Sequence, residues 1–167
     1  MLVPAVAESP ISVDNSTGGA APSGAATRGG RKRARQVAVQ ALYQWQMTGQ
    51  PPGEIEAHFI DDHDLKGVDQ EYFRTLVHEV PLHQHELDDH LVPHLDRPIE
   101  EIDPVERAIL RIGAYEFEFH PEIPYRVVLN EAIELAKMFG AEHGHKFVNA
   151  VLDKVAASLR GNEVTQA

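Results

Sequence analysis

Arg31-Lys32-Arg33-Ala34-Arg35-Gln36-Val37-Ala38-Val39-Gln40-Ala41-Leu42-Tyr43-Gln44-Trp45-Gln46 reads as an amphipathic helix with two unlike faces. At about 100° per residue, Ala34, Val37, Ala38, Ala41, Leu42 and Trp45 fall on one side. Lys32, Arg35, Gln36, Val39, Tyr43 and Gln46 fall on the other. The spacing predicts a helix from about Arg31 to Thr48, stopped by Gly49 and the pair Pro51-Pro52.

The same period continues in both apolar content and punctuation, and alternating strand patterns are scarce. A second helix is expected over about Glu54 to Asp62. A third follows Asp69 as N-cap, with Tyr72, Phe73, Leu76, Val77 and Val80 inward, and breaks or kinks at Pro81. Residues 82–95 continue helically through Leu82, Leu87, Leu91 and Leu95. Asp103-Pro104-Val105-Glu106 is the clearest start signal: Asp103 can cap, Pro104 suits the first helical position and Glu106 can reach back as a capping box. That helix should end at His120-Pro121, another should run from Pro124 to Phe139 before Gly140, and the last from about His143 to Arg160. The expectation is an all-α fold, a compact domain of six or seven helices over residues 31–160. Residues 1–30, rich in Gly, Ala, Ser and Pro, read as a disordered tail, and 161–167 as a disordered C-terminus.

Charge divides the chain. Arg28, Arg31, Lys32, Arg33 and Arg35 form a block uninterrupted by acid, whereas the full 167 residues carry 15 cations and 26 acids. A basic block on an acidic body suits a polyanion at one place and a basic partner elsewhere. Hydrophobic content of 43% and charged content of 25% are those of an ordinary globule. The absence of cysteine excludes disulfides, thiolate metal sites and a Cys nucleophile, and fits a cytoplasmic protein. No apolar run approaches the roughly 20 residues a membrane span needs.

Three constellations could carry function. The second face of the first helix offers cations for phosphates, glutamines for base edges and Tyr43 for stacking on an unpaired base. On spacing alone, a solvated face with a solubilising basic start explains it equally. The helix from Asp103 to Phe119 is apolar on two sides, with Leu110, Gly113 and Phe117 opposite Val105, Ile109 and Ile112. It is either central in the core or offers a partner surface with a negative rim at Glu100, Glu101 and Glu106. His83, His85, His90 and His94 raise the question of a metal, but HExxH is absent and Pro93 separates the last two, so a polar outer face is the better reading and no metal or cofactor is expected. No phosphate loop, GxSxG elbow or dinucleotide fingerprint is present, and no enzyme is expected.

Longer stretches carry a resemblance. Arg31-Lys32-Arg33-Ala34-Arg35, Ala38-Val39-Gln40-Ala41-Leu42-Tyr43, Val105-Glu106-Arg107-Ala108-Ile109-Leu110-Arg111, Asn130-Glu131-Ala132-Ile133-Glu134-Leu135-Ala136-Lys137 and His145-Lys146-Phe147-Val148-Asn149 resemble the NusB family of bacterial transcription antitermination factors. The resemblance covers about 31–160. It implies two small helical bundles, and a partnership with the ribosomal protein NusE. It also implies joint binding of boxA-like single-stranded RNA and RNA polymerase read-through, notably in ribosomal RNA operons. It further implies RNA contacts at Arg31, Lys32, Arg33, Arg35 and Tyr43. Lys146 and Phe147 would form a second RNA-facing element alongside the first helix, and Glu100, Glu106, Leu110 and Phe117 a protein-partner surface. The long tail and His143-Gly144 depart from the family's pattern.

Two other readings stand beside it. One is a helical module that binds protein only. The other is a fragment related to the N-terminal module of RNA cytosine methyltransferases. The lack of a strand-rich cofactor domain and a cysteine nucleophile counts against the latter.

Overall fold

Eight α-helices order the chain in the computed structural model, which describes residues 28–166. They are α1 (Arg28–Thr48), α2 (Pro52–Asp62), α3 (Gln70–Leu82), α4 (Gln84–Leu91), α5 (Pro104–Phe119), α6 (Tyr125–Phe139), α7 (Gly144–Leu159) and α8 (Gly161–Gln166). Short 3-10 turns at Val92–His94 and Ile99–Glu101 link α4 to α5.

Local signals set most of these boundaries. Asp69 Oδ1 accepts from the Tyr72 N–H at 3.0 Å, and Asp103 Oδ1 accepts from Val105 N–H at 2.9 Å and Glu106 N–H at 3.2 Å. Each carboxylate thereby satisfies donors that the first helical turn leaves unpaired. Gly49 closes α1 in the left-handed region, φ 73°, with its N–H on Trp45 O at 2.9 Å.

Other boundaries differ from expectation. Pro81 lies within the last turn of α3 and does not break it, and the chain re-enters helix at Gln84. The first helix begins at Arg28 and takes in Gly29 and Gly30. Gly30 O accepts the Asp69 N–H at 3.0 Å, which ties this end to the start of α3. The tail expected over residues 1–27 lies outside the described residues. At the other end, Gly161–Gln166 form α8 where a disordered terminus was expected. The Glu163 carboxylate explains the order: one oxygen accepts the Tyr125 N–H at 2.8 Å and the other meets Arg160 Nη1 at 2.7 Å.

The helices form two bundles that share a core. In one, α1, α2 and α3 pack mutually; in the other, α5, α6 and α7 pack mutually and α4 packs on α5 and α7. The long contact of α1 with α5, and a shorter one with α6, joins them. Every residue of α5 from Ala108 to Phe117 is buried, which settles its two-sided apolar pattern as centrality in the core. Leu110 and Phe117, at 0% and 2% exposure, therefore cannot form a partner surface. Glu106 is also buried: its carboxylate packs against Gly144 and accepts a backbone hydrogen bond at Ala141, so it neither reaches back as a capping box nor presents a negative rim.

Candidate nucleic-acid interface

Packed within one bundle and against the other, α1 has less free surface than a helix lying on one. Ala34, Arg35, Ala38, Val39, Ala41 and Leu42 are all buried. The solvated stripe runs instead through Lys32, Arg33, Gln36, Gln40, Tyr43, Gln44 and Met47. Compared with the expected face, Lys32, Gln36 and Tyr43 remain on it, whereas Arg35, Val39 and Gln46 turn inward. Gln46 is spent on two partners, donating to Pro104 O at 2.8 Å and accepting from Arg111 Nη1 at 2.9 Å.

Arg35 is the main correction. Its Nε donates to Glu116 Oε2 at 2.8 Å, and its Nη1 lies 3.8 Å from Glu131 Oε1. The same Glu116 oxygen accepts the Tyr72 hydroxyl, and Arg31 stacks its guanidinium 4.3 Å above the Tyr72 ring. Burial opposes the charge on Arg35, but Glu116, then Tyr72 and Glu131, hold its pKa above the ordinary value. Burial, then the Glu116 charge, pushes the Tyr72 phenol far up, so that it stays a donor. Arg35 thus joins α1 to α5 and is closed to RNA.

The other cations of the block differ in availability. Arg33 is exposed and donates from Nη1 to the Lys66 carbonyl at 3.4 Å. Lys32 is half-exposed, with Nζ 3.4 Å from Glu131 Oε1. Arg31 is less open, with Nη1 4.0 Å from Glu122 Oε2.

Ten residues beyond Arg33, a distance of about 15 Å along the helix, Tyr43 is 40% exposed. It borders an open groove of about 490 Å³ with Gln40, Met47, Phe59, Val105 and Phe139. Sequence reasoning found Tyr43 but missed Met47 and Phe139, because an apolar residue at the end of a helix carries no mark that distinguishes a groove from a core. Phe139 leads into the Gly140–His143 loop, and exposed Lys146 lies in the first turn of α7 beyond it. Half-buried Phe147 has Arg97 5.3 Å above its ring. The principal neighbours of α7 are α6 and α5, so Lys146 and Phe147 are not packed alongside α1 as expected. The start of α5 touches both helices: Gln46 of α1 binds Pro104 O, and Glu106 packs against Gly144 of α7.

Of the expected partner residues only Glu100 is exposed, on the 3-10 turn before α5. Its backbone carbonyl, with those of Ile99 and Ile102, accepts from Arg107 Nη1 at 3.2 to 3.4 Å, which fixes the turn. Two histidines of the cluster meet carboxylates: His83 lies between Glu79 and Glu86, and His90 Nε2 meets Glu118 Oε1 at 2.8 Å. Among the described residues no three His, Asp or Glu side chains converge to hold a metal, and no helix is long and apolar enough to cross a membrane.

Known proteins share this fold. The NusB family model matches residues 32–157. The transcription antitermination protein NusB of Nitrosococcus oceani is 60% identical over 133 residues, covering 80% of this chain and 89% of that protein. That of Pseudomonas entomophila is 54% identical over 134 residues, covering 80% and 81%. Among solved structures, T. maritima NusB superposes with a TM-score of 0.70 at 28% identity, covering 81% of this chain and 96% of that one. NusB from a complex of NusB and NusE with dsRNA superposes at 0.69 and 31% identity, covering 77% and 96%. This is a family of antitermination factors, not of enzymes, and the chain belongs to it: it is a member of the NusB family.

Proposed function

We propose that this antitermination factor binds boxA-like single-stranded RNA together with ribosomal protein NusE. In that role it supports read-through by RNA polymerase, notably in ribosomal RNA operons. The observation that carries the reading is the solvated stripe of α1, where Lys32 and Arg33 open a path that ends at the Tyr43 groove. Cations hold phosphates at any sequence, while an aromatic wall takes unpaired bases. A duplex offers no such base faces, which favours a single strand. The complex of a related NusB with NusE and dsRNA supports both partner classes. The RNA contacts proposed are Lys32, Arg33, Tyr43 and Lys146, with Arg31 and Phe147 at the margins. The proposed NusE-facing residue is Glu100, on an acidic surface suited to a basic ribosomal protein.

Fluorescence anisotropy tests the proposal with a labelled boxA-like strand, a scrambled strand and a duplex, each with and without NusE. Tighter binding of the boxA-like strand, enhanced by NusE, is expected. Equal affinity for all three, unmoved by NusE, would reject it.

A further inference from the structure

The cations at the start of α1 do not all face open water. Among the described residues Arg33 donates only to the carbonyl of Lys66, whereas Lys32 meets a carboxylate from a helix remote in sequence. Glu131, on α6, sets Oε1 3.4 Å from Lys32 Nζ and is itself only 22% exposed. The same oxygen lies 3.8 Å from Arg35 Nη1, but the main partner of Arg35 is Glu116, at 2.8 Å. The carboxylate therefore occupies, at Lys32, the place an RNA phosphate oxygen would take: an anionic oxygen at charge-assisted distance from the ammonium.

We infer that Glu131 is an internal competitor for the RNA backbone at Lys32, an autoinhibitory contact that a phosphate must open. The inference rests on the RNA-binding reading of α1 and adds a control to it. When a strand approaches, Lys32 exchanges one anion for another, so it contributes less than a free lysine would. Glu131 and its neighbour Glu134 line the narrow groove between α1 and α6 with Lys32 and Gln36. Their charge keeps the strand's backbone out of that groove and on the Arg33 side of the helix.

The test uses the full chain, with labelled boxA-like and scrambled strands and with heparin as a non-RNA polyanion, from low to moderate salt. Glu131→Gln should tighten binding of all three by about 2- to 5-fold at low salt, the range of a half-exposed ion pair. The gain should fade as salt screens the pair. In a Lys32→Ala background the same substitution should give no gain. Glu134→Gln, which removes the same charge from the same groove, should gain less. Unchanged affinity in Glu131→Gln, a gain that persists without Lys32, or an equal gain in Glu134→Gln would each overturn the inference. Should Glu131→Gln melt early, Glu131→Asp retracts the carboxylate from Lys32 and keeps a charge beside Arg35. It should show a smaller gain in the same direction, and no gain would again overturn the inference. Wild-type protein that binds neither RNA strand would refute the RNA reading instead, and the heparin measurements would still decide the role of Glu131.

Discussion

Arg35 and Glu116 meet at 2.8 Å with side chains 5% and 1% exposed, an ion pair sealed between α1 and α5. Removing one member leaves the other charged in the core without its main partner, at a cost of up to about 3–5 kcal/mol. Glu116→Ala is expected to lower the urea midpoint by a corresponding amount, since it also strips the Tyr72 hydroxyl of its acceptor. A loss under about 1 kcal/mol would show that the pair contributes little to holding α1 in place.

Arg35 and Arg33 should then separate cleanly. Arg33→Ala is expected to leave the thermal midpoint nearly unchanged and to flatten the salt dependence of RNA binding. The log–log slope should fall by about 0.7, the value for one single-strand phosphate that the protein no longer neutralises. Arg35→Ala should do the reverse, lowering stability strongly. A filter-binding salt titration beside a melting curve distinguishes them, and a flattened slope with full stability in Arg35→Ala would contradict its burial.

Tyr43 offers its ring to the groove with 40% of its surface free. Tyr43→Ala is expected to weaken RNA binding by about 1–3 kcal/mol, the worth of one stacked base, while Tyr43→Phe retains most of the affinity. Anisotropy on folded variants checks this, and equal losses in both would point to the hydroxyl rather than the ring.

The contrast between Arg35 and Tyr43 shows what the sequence can disclose. Asp69, Asp103-Pro104 and Gly49 mark helix ends through neighbours two to four positions away, and those ends were legible. The azimuth of α1 was not, because it depends on how many helices surround it. The partner that draws Arg35 inward lies 81 residues along the chain. Glu106 and Phe117 were ambiguous for the same reason: a central helix and a partner-binding helix share one pattern until the packing is known. The order of α8 was hidden too, since Glu163 acts on Tyr125, 38 residues upstream.

Arg160 gathers the end of α5 and the loop after it. Its guanidinium donates to Phe117 O at 2.9 Å, Ile123 O and His120 O at 3.1 Å, and Glu116 O at 3.3 Å, and pairs with Glu163. Arg160→Ala takes a donor from Phe117 O and Ile123 O, each worth about 1–3 kcal/mol when left without one, whereas Glu116 O and His120 O keep the N–H groups of His120 and Ile123. Glu163→Ala removes only a cap and one ion pair, costing about 1 kcal/mol. Denaturation curves should rank Arg160→Ala well below Glu163→Ala, and equal losses would mean that α8 rather than the carbonyl cluster is what Arg160 secures.

Glu106 carries the clearest dependence on pH. Burial, then the nearby charge of Asp103, raises its pKa above the ordinary carboxylate value, against a smaller opposing effect from the hydrogen bond at Ala141 and from Arg97. A carboxyl whose folded pKa is raised binds its proton more tightly in the folded state. The stability it supports is therefore present at low pH and lost as pH rises from the unfolded value, about 4.3, through the folded one. Glu106→Gln, which cannot ionise, is spared that loss. Thermal midpoints of the two proteins should coincide or favour the wild type in acid and diverge in favour of Glu106→Gln toward neutrality. Glu56, Glu122 and Glu163 have lowered values and weaken both proteins alike in acid, so they cancel in the difference. A difference that stays constant across the range would mean that the Glu106 charge is accommodated at no cost.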